Sequence, residues 1–185
     1  MKITTVALFA AFTLSAIAAP VLAQPKGSSP PEKCSDRYGA LPAKIEGLGY
    51  QGDADTIHVT GYPRPIRIWG VQAPELRDKD KAETGAGMAS RALADDLFHD
   101  ARRVTTCVTT KYDLYCRAVA VCSVGKDGDT KELGLELIKA GMAYGFYLEE
   151  PVAGMPDINL RYADAEYDAR KAKRGLWPVW LGERK

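Results

Sequence analysis

The chain repeatedly alternates short β-branched stretches with turn-forming residues, and this pattern limits the folds open to it. Residues 43–50, 55–59 and 65–71 alternate apolar and polar side chains, which predicts three strands. Two further β-branched stretches, 102–110 and 115–124, flank the turn sequence KYDL. The sequence therefore predicts five strands within the single domain that 185 residues suggest.

Three helices are predicted around these strands. Residues 84–101 carry apolar side chains at spacings of three and four, with Thr84 as the N-cap. Residues 131–143 predict a helix that stops near Gly141, and residues 157–175 predict a polar one. The order of elements predicts a mainly β, α+β fold, namely a five-stranded barrel of the OB type with three helices. A segregated α+β sheet is the alternative.

The N-terminus has the composition of a secretory signal peptide. Residues 3–23 contain no charge, Lys2 precedes them, and Val21 and Ala23 occupy the −3 and −1 positions of a cleavage site. We expect cleavage after Ala23, a periplasmic or secreted location, and no stable membrane association afterwards. An uncleaved membrane anchor is the alternative, because the stretch is long enough to span a bilayer.

The remaining chain divides into a flexible linker (24–41), the barrel domain (42–180) and a short tail (181–185). Lys2 is the one charged residue among residues 1–23, so cleavage takes the formal net charge from +1 to zero. A neutral chain has no overall field to attract nucleic acid, and any such contact must use a local patch. We expect a monomer.

An even number of cysteines after a signal peptide indicates disulfides: Cys34, Cys107, Cys116 and Cys122. Three pairings are possible. Cys107 and Cys122 lie on two predicted strands that flank a turn, so their pairing is plausible and would leave Cys34 for Cys116. A zinc site is the alternative, but the chain has no C-x-x-C spacing and both histidines are distant in sequence from every cysteine.

Several charged residues interrupt the predicted strands. Asp53 and Asp55 lie two residues apart at a strand entrance, and Arg67 lies between two isoleucines on the opposite face of its strand. Glu75 follows a proline at a strand exit, and Arg117 begins the fifth strand. Taken singly, Asp53 and Asp55 are typical of turn acids, Arg67 of a surface arginine, and Glu75 of a solvated loop acid.

Together the segments DxDTI, IRIWGVxAPE, DxYxR, ELGLELIKAGMAYGF and ARKAKRGLW occur in an order that closely resembles the staphylococcal nuclease (thermonuclease-like) family over residues 42–178. The resemblance implies an OB-fold phosphodiesterase that cuts DNA and RNA with calcium, and we expect single-stranded DNA or RNA as the substrate. It implies that Arg67 and Arg117 bind the scissile phosphate and that Glu75 is the general base. Two forked guanidiniums can stabilise the charge that develops on such a phosphate.

The resemblance also assigns a metal site and a nucleotide site. Asp55 and the backbone carbonyl of Ala73 would bind Ca²⁺, and Tyr115 and Tyr147 would lie near the nucleotide. At position 72, however, this chain has Gln72 where the family has a second calcium-binding aspartate. The loss of one of two carboxylates predicts calcium affinity weaker by about ten-fold or more, with Gln72 and a leaning Asp53 as candidate ligands.

Two glycines of the family pattern are also replaced. Ala54 stands between the two aspartates, which requires a negative φ or some backbone strain, and Cys116 precedes Arg117. We therefore expect an exported nuclease with an altered calcium site. The alternative is an impaired OB-fold module that binds nucleic acid or protein.

Overall fold

A strand-rich core forms the structure, a computed structural model that describes residues 34–126 and 128–183. Its strands are β1 (Lys44–Gln51), β2 (Thr56–Val59), β3 (Ile66–Ile68), β4 (Val71–Gln72), β5 (Val104–Tyr112), β6 (Ala118–Lys126), β7 (Asp129–Glu132) and β8 (Tyr144–Gly145). Its helices are α1 (Cys34–Tyr38), α2 (Gly85–Asp100), α3 (Leu133–Lys139), α4 (Ile158–Lys171) and α5 (Trp177–Trp180). The predicted signal peptide and residues 24–33 lie outside the described residues.

Five strands close into a ring. The sheet runs β3-β2-β1-β5-β6-β7, and β3 also pairs in parallel with β6, with Arg67 opposite Val119. All other pairs of this sheet are antiparallel. The closed ring of β1, β2, β3, β5 and β6 confirms the predicted OB-type barrel, and β7 extends it at one edge.

Two features depart from the predicted strands. The stretch 65–71 is not one strand, because the chain turns at Gly70, whose φ is +70°, and divides it into β3 and β4. Strand β4 leaves the barrel and pairs with β8, with Gln72 opposite Tyr144. The start of the predicted helix 131–143 is instead the end of β7, so α3 is shorter than expected.

The core lies inside the barrel and between the barrel and its helices. Its largest fully buried side chains are Trp69, Tyr162, Phe98, Ile57, Ile66 and Ile68. Helix α2 begins where predicted, and the Thr84 hydroxyl accepts a hydrogen bond from Gly87 N at 3.0 Å. Within residues 34–126 and 128–183, no helix combines the length and the apolar character that a membrane span requires.

Both expected disulfides are present. Cys107 and Cys122 are directly opposite on β5 and β6, fully buried, with their Cα atoms 4.0 Å apart. Cys34 of α1 is bonded to Cys116, with a Cα–Cα distance of 5.3 Å. The end of the predicted linker is therefore a short helix bonded to the barrel, and no cysteine thiolate is available for zinc.

Helix α2 packs so closely on the strand exit that one glycine has no room for a side chain. A Cβ added at Gly87 would lie 2.3 Å from the backbone oxygen of Glu75, whereas one added at Gly85 would meet nothing within 4 Å. We expect Gly87→Ala to lower the free energy of unfolding by about 1–3 kcal/mol through overpacking. Urea denaturation would measure this loss.

Gly85→Ala is the matched control on the same helix. It should be neutral or stabilise by about 0.4–1 kcal/mol, because alanine restricts the unfolded chain. Equal losses for the two variants would contradict the close packing of α2 on Glu75.

Candidate active site

A buried ion pair lies at the corner where β3 turns into β4. Arg67 projects to the face opposite Ile66 and Ile68, which are both buried, and its guanidinium forms an ion pair with the Asp55 carboxylate. The two side chains are only 13% and 7% exposed. A charged pair this deep persists only when its other polar atoms are also satisfied.

The Asp55 carboxylate has a full set of donors. It accepts hydrogen bonds from Ala73 N at 2.9 Å and from the Thr56 hydroxyl at 3.2 Å, in addition to the ion pair with Arg67. Asp55 lies in the bend between β1 and β2, just before the strand. The carboxylate therefore joins this bend to the β3–β4 corner.

Asp53 lies two residues before Asp55 in the same bend. Its Oδ1 accepts a hydrogen bond from Asp55 N at 3.3 Å, which is the local bond expected of a turn aspartate. Burial, and after it the negative charge of Asp55, raises the pKa of the Asp53 carboxyl. A positive charge beside Asp53 would offset this repulsion.

Gln72 bridges the arginine and the carbonyl that the family resemblance assigned to calcium. Its Oε1 accepts from Arg67 at 2.9 Å, and its Nε2 donates to the Ala73 carbonyl at 3.1 Å. Arg67 also donates to the Val71 carbonyl at 2.7 Å. The amide thus occupies one N–H of the Arg67 guanidinium and one lone pair of the Ala73 carbonyl.

The possible ligands at this corner are of the type that a hard cation prefers, but only two of them carry a negative charge. Asp53, Asp55, Ala73 and Gln72 all offer oxygen atoms, as calcium prefers. Across the described ranges, no group of three or more His, Cys, Asp and Glu side chains could hold a metal ion. The Ala73 carbonyl already accepts one hydrogen bond from Gln72, which leaves one of its two lone pairs for a cation.

Arg117 belongs to the same corner through a residue that sequence reasoning did not single out. The Thr56 hydroxyl, which donates to Asp55, lies 3.5 Å from Arg117 Nη1. Arg67 and Arg117 are therefore linked by Asp55 and Thr56. Parallel pairing explains this arrangement, because Ile66, next to Arg67, pairs with Ala118, next to Arg117. Thr56 directly follows Asp55 in sequence, and this was the available signal.

A second such residue is Asp113, which holds Arg117 in place. Its Oδ2 accepts from Arg117 Nε at 2.6 Å, and its Oδ1 accepts from Arg117 N at 2.8 Å and from Tyr115 N at 2.9 Å. The motif DxYxR contained this aspartate, but the spacing alone did not reveal its three bonds.

Glu75 is exposed and is fixed through its backbone. The Thr84 hydroxyl that caps α2 also donates to the Glu75 carbonyl at 2.5 Å. The Glu75 carboxylate forms no hydrogen bond or ion pair with another described residue. It is not in contact with the arginines, and substrate or water can reach it directly.

The two predicted nucleotide-site tyrosines lie on the surface. Tyr115 is 80% exposed, and the Arg117 guanidinium lies 5.4 Å from its ring centroid. Tyr147 is 59% exposed and packs edge-on against Phe146 at 4.3 Å. Phe146 N donates to the Gly70 carbonyl, which ties this segment to the β3–β4 corner.

Comparison with known proteins identifies the family of this chain. A family model described as Staphylococcal nuclease homologue matches residues 65–179, which is more than half of the 185-residue chain. The chain belongs to the staphylococcal nuclease family. The matched range contains Arg67, Gln72, Glu75 and Arg117, whereas Asp55 lies before it.

Relatives in this family include fungal proteins. The chain is 30% identical over 146 residues to a probable endonuclease LCL3 of Phaeosphaeria nodorum, covering 79% of this chain and 48% of that protein. It is 32% identical over 137 residues to a probable endonuclease lcl3 of Pyrenophora tritici-repentis, covering 74% and 45%. The chain thus spans about half the length of these curated relatives.

The two arginines should differ in their effect on stability. Arg67→Met leaves the Asp55 carboxylate buried without its counter-ion and should lower the free energy of unfolding by about 3–5 kcal/mol. Arg117→Met leaves Asp113 bonded to two backbone N–H groups in a more exposed position, and should cost about 1 kcal/mol. Urea denaturation of both variants would measure the difference, and equal losses would contradict the burial argument.

Proposed function

We propose that this chain is a nuclease that hydrolyses phosphodiester bonds in single-stranded DNA or RNA. The observation that carries the proposal is the link from Arg67 through Asp55 and Thr56 to Arg117 at one corner of the barrel. Two guanidiniums at one corner suit a phosphate that gains negative charge during attack by water. The names of the relatives, probable endonucleases, also support it.

In the proposed reaction, the arginines bind the oxygens of the scissile phosphate and stabilise its developing charge. Arg67 must exchange its bond to the Gln72 amide for one to the phosphate, while its ion pair with Asp55 keeps it in place. Glu75, which is exposed and near this corner in sequence, takes the proton of the attacking water.

We also propose that Asp55, Asp53 and the Ala73 carbonyl bind calcium weakly. When bound, calcium would add positive charge beside the phosphate. Gln72 supplies no charge, and its Nε2 occupies one of the two lone pairs of the Ala73 carbonyl, so a cation would share that oxygen with the amide. Millimolar calcium outside the cytoplasm would tolerate weak affinity. The two disulfides and the signal-like N-terminus support export to an oxidising compartment.

A second candidate function is nucleic-acid or protein binding without cleavage. The contacts of Gln72 favour it, because the amide satisfies both Arg67 and the Ala73 carbonyl without substrate or metal. An arginine and a carbonyl satisfied in this way need no further ligand.

The deciding experiment measures cleavage of single-stranded DNA and RNA by the purified chain in a calcium titration. The titration starts at zero calcium, with a chelator present, and ends at about 10 mM. Gln72→Asp is measured in parallel. We expect the parent to cleave at millimolar calcium, and Gln72→Asp to move the midpoint about ten-fold or more toward lower calcium because it restores a carboxylate. An unchanged midpoint would exclude position 72 from the metal site.

Glu75→Gln tests whether the measured cleavage depends on the proposed general base of this chain. It removes the proposed base from an exposed position and should reduce cleavage by roughly 10²–10⁴-fold without unfolding the chain. Cleavage that is unchanged in Glu75→Gln would contradict its role. Absence of cleavage by both the parent and Gln72→Asp would favour the binding module.

A further inference from the structure

The loop that carries Arg117 is closed by an internal network. Asp113 accepts three hydrogen bonds from Tyr115 and Arg117 through its carboxylate. Its backbone N–H donates to the Arg117 carbonyl at 3.0 Å, and Cys116 N donates to the Asp113 carbonyl at 2.9 Å. The direction of the Arg117 side chain therefore depends on the conformation of residues 113–117.

One residue of this loop adopts a conformation that disfavours side chains. Cys116 has a φ of +58°, in the left-handed region where glycine is the usual residue. Its sulfur is bonded to Cys34, 82 residues earlier in the chain. The covalent bond thus holds the residue next to Arg117 in a conformation that a free side chain would tend to leave.

The other end of the disulfide is attached to the barrel in only a few places. None of the residues of α1 is buried. The Arg64 guanidinium lies 3.6 Å from the Tyr38 ring centroid, and Tyr112 Oη donates to the Gly39 carbonyl at 3.3 Å. Because α1 contributes nothing to the core, its bond to Cys116 acts on the loop and not on barrel packing.

The second disulfide provides a contrast within the same chain. Cys107 and Cys122 are fully buried and cross-link two core strands. Cys34 and Cys116 are partly exposed and lie beside the candidate active site. One bond stabilises the barrel, whereas the other lies where it can set the geometry of a phosphate-binding side chain.

We propose that the Cys34–Cys116 disulfide is a positioning element for Arg117, so that opening it weakens phosphodiester cleavage while the barrel stays folded. This inference rests on the proposed nuclease function. A dithiol would open the bond by breaking S–S and supplying two electrons and two protons. Two cysteine thiols form, and the dithiol becomes a disulfide. Partial exposure makes this bond more accessible than the buried one.

The test uses two variants that lack the bond and have no unpaired thiol. Cys34→Ser/Cys116→Ser keeps a side chain at the left-handed position, and Cys34→Ser/Cys116→Gly places there a residue that accepts it. With single-stranded DNA at saturating calcium, we expect the serine variant to lose about ten-fold in kcat, because small displacements of a catalytic group are costly. The glycine variant should recover part of the loss.

A double-mutant cycle shows whether the effect passes through Arg117. In the Arg117→Lys background, opening the disulfide should cause little further loss of kcat, because the group that it positions is already altered. Far-UV circular dichroism at the assay temperature should report the same fold for all variants. A full loss that repeats in the Arg117→Lys background would overturn the proposal, as would a serine variant with the kcat of the parent.

The outcomes separate this inference from the function on which it rests. If the oxidised parent cleaves and the serine variant cleaves equally well, the nuclease proposal stands and the positioning role is excluded. If the oxidised parent does not cleave at any calcium concentration, both proposals fail together.

Discussion

The Asp55–Arg67 ion pair joins the parts of the structure on which the candidate site depends. Each member would be costly to bury alone, so the bend after β1 and strand β3 must keep their relative positions. The same carboxylate accepts from Ala73 N, which fixes the corner between β3 and β4, and from Thr56, which contacts Arg117. The requirement to satisfy one buried charge thus also brings the phosphate-binding candidates together.

Gln72 determines the charge and the hydrogen bonding of the β3–β4 corner. An aspartate at this position would add a second full negative charge to the Asp55–Arg67 pair and would favour a bound cation. The neutral amide instead donates to the Ala73 carbonyl and accepts from Arg67, so the corner is satisfied without a ligand. In the proposed function, substrate and metal would compete with these internal bonds. We therefore expect calcium to bind weakly, both because of that competition and because the amide carries no charge.

Local patterns predicted much of the fold. Period-two alternation located most of the barrel strands, the Thr84 cap located the start of α2, and opposite positions on a predicted hairpin indicated the Cys107–Cys122 bond. The turn at Gly70 was missed because the residues around it continue an apolar run, and α1 because it has no buried face. Thr56 and Asp113 were missed for a different reason. Thr56 adjoins Asp55 in sequence, but its contact with Arg117 joins residues that are 61 positions apart. Asp113 binds backbone N–H groups, which no spacing of residue types reveals.

Cys116 has a positive φ although it carries a side chain, and this has a physical consequence beyond stability. A side chain in the left-handed region costs about 1–2 kcal/mol, which a glycine at this position would avoid. A disulfide that closes a long loop can offset that cost, since it removes entropy from the unfolded chain. Stability alone does not require this location, because the entropy that a disulfide removes from the unfolded chain depends on the length of the loop and not on which residue lies beside the bond. What distinguishes Cys116 is its place beside Arg117, where a covalent bond adds to the hydrogen bonds that the Asp113 carboxylate accepts from this loop.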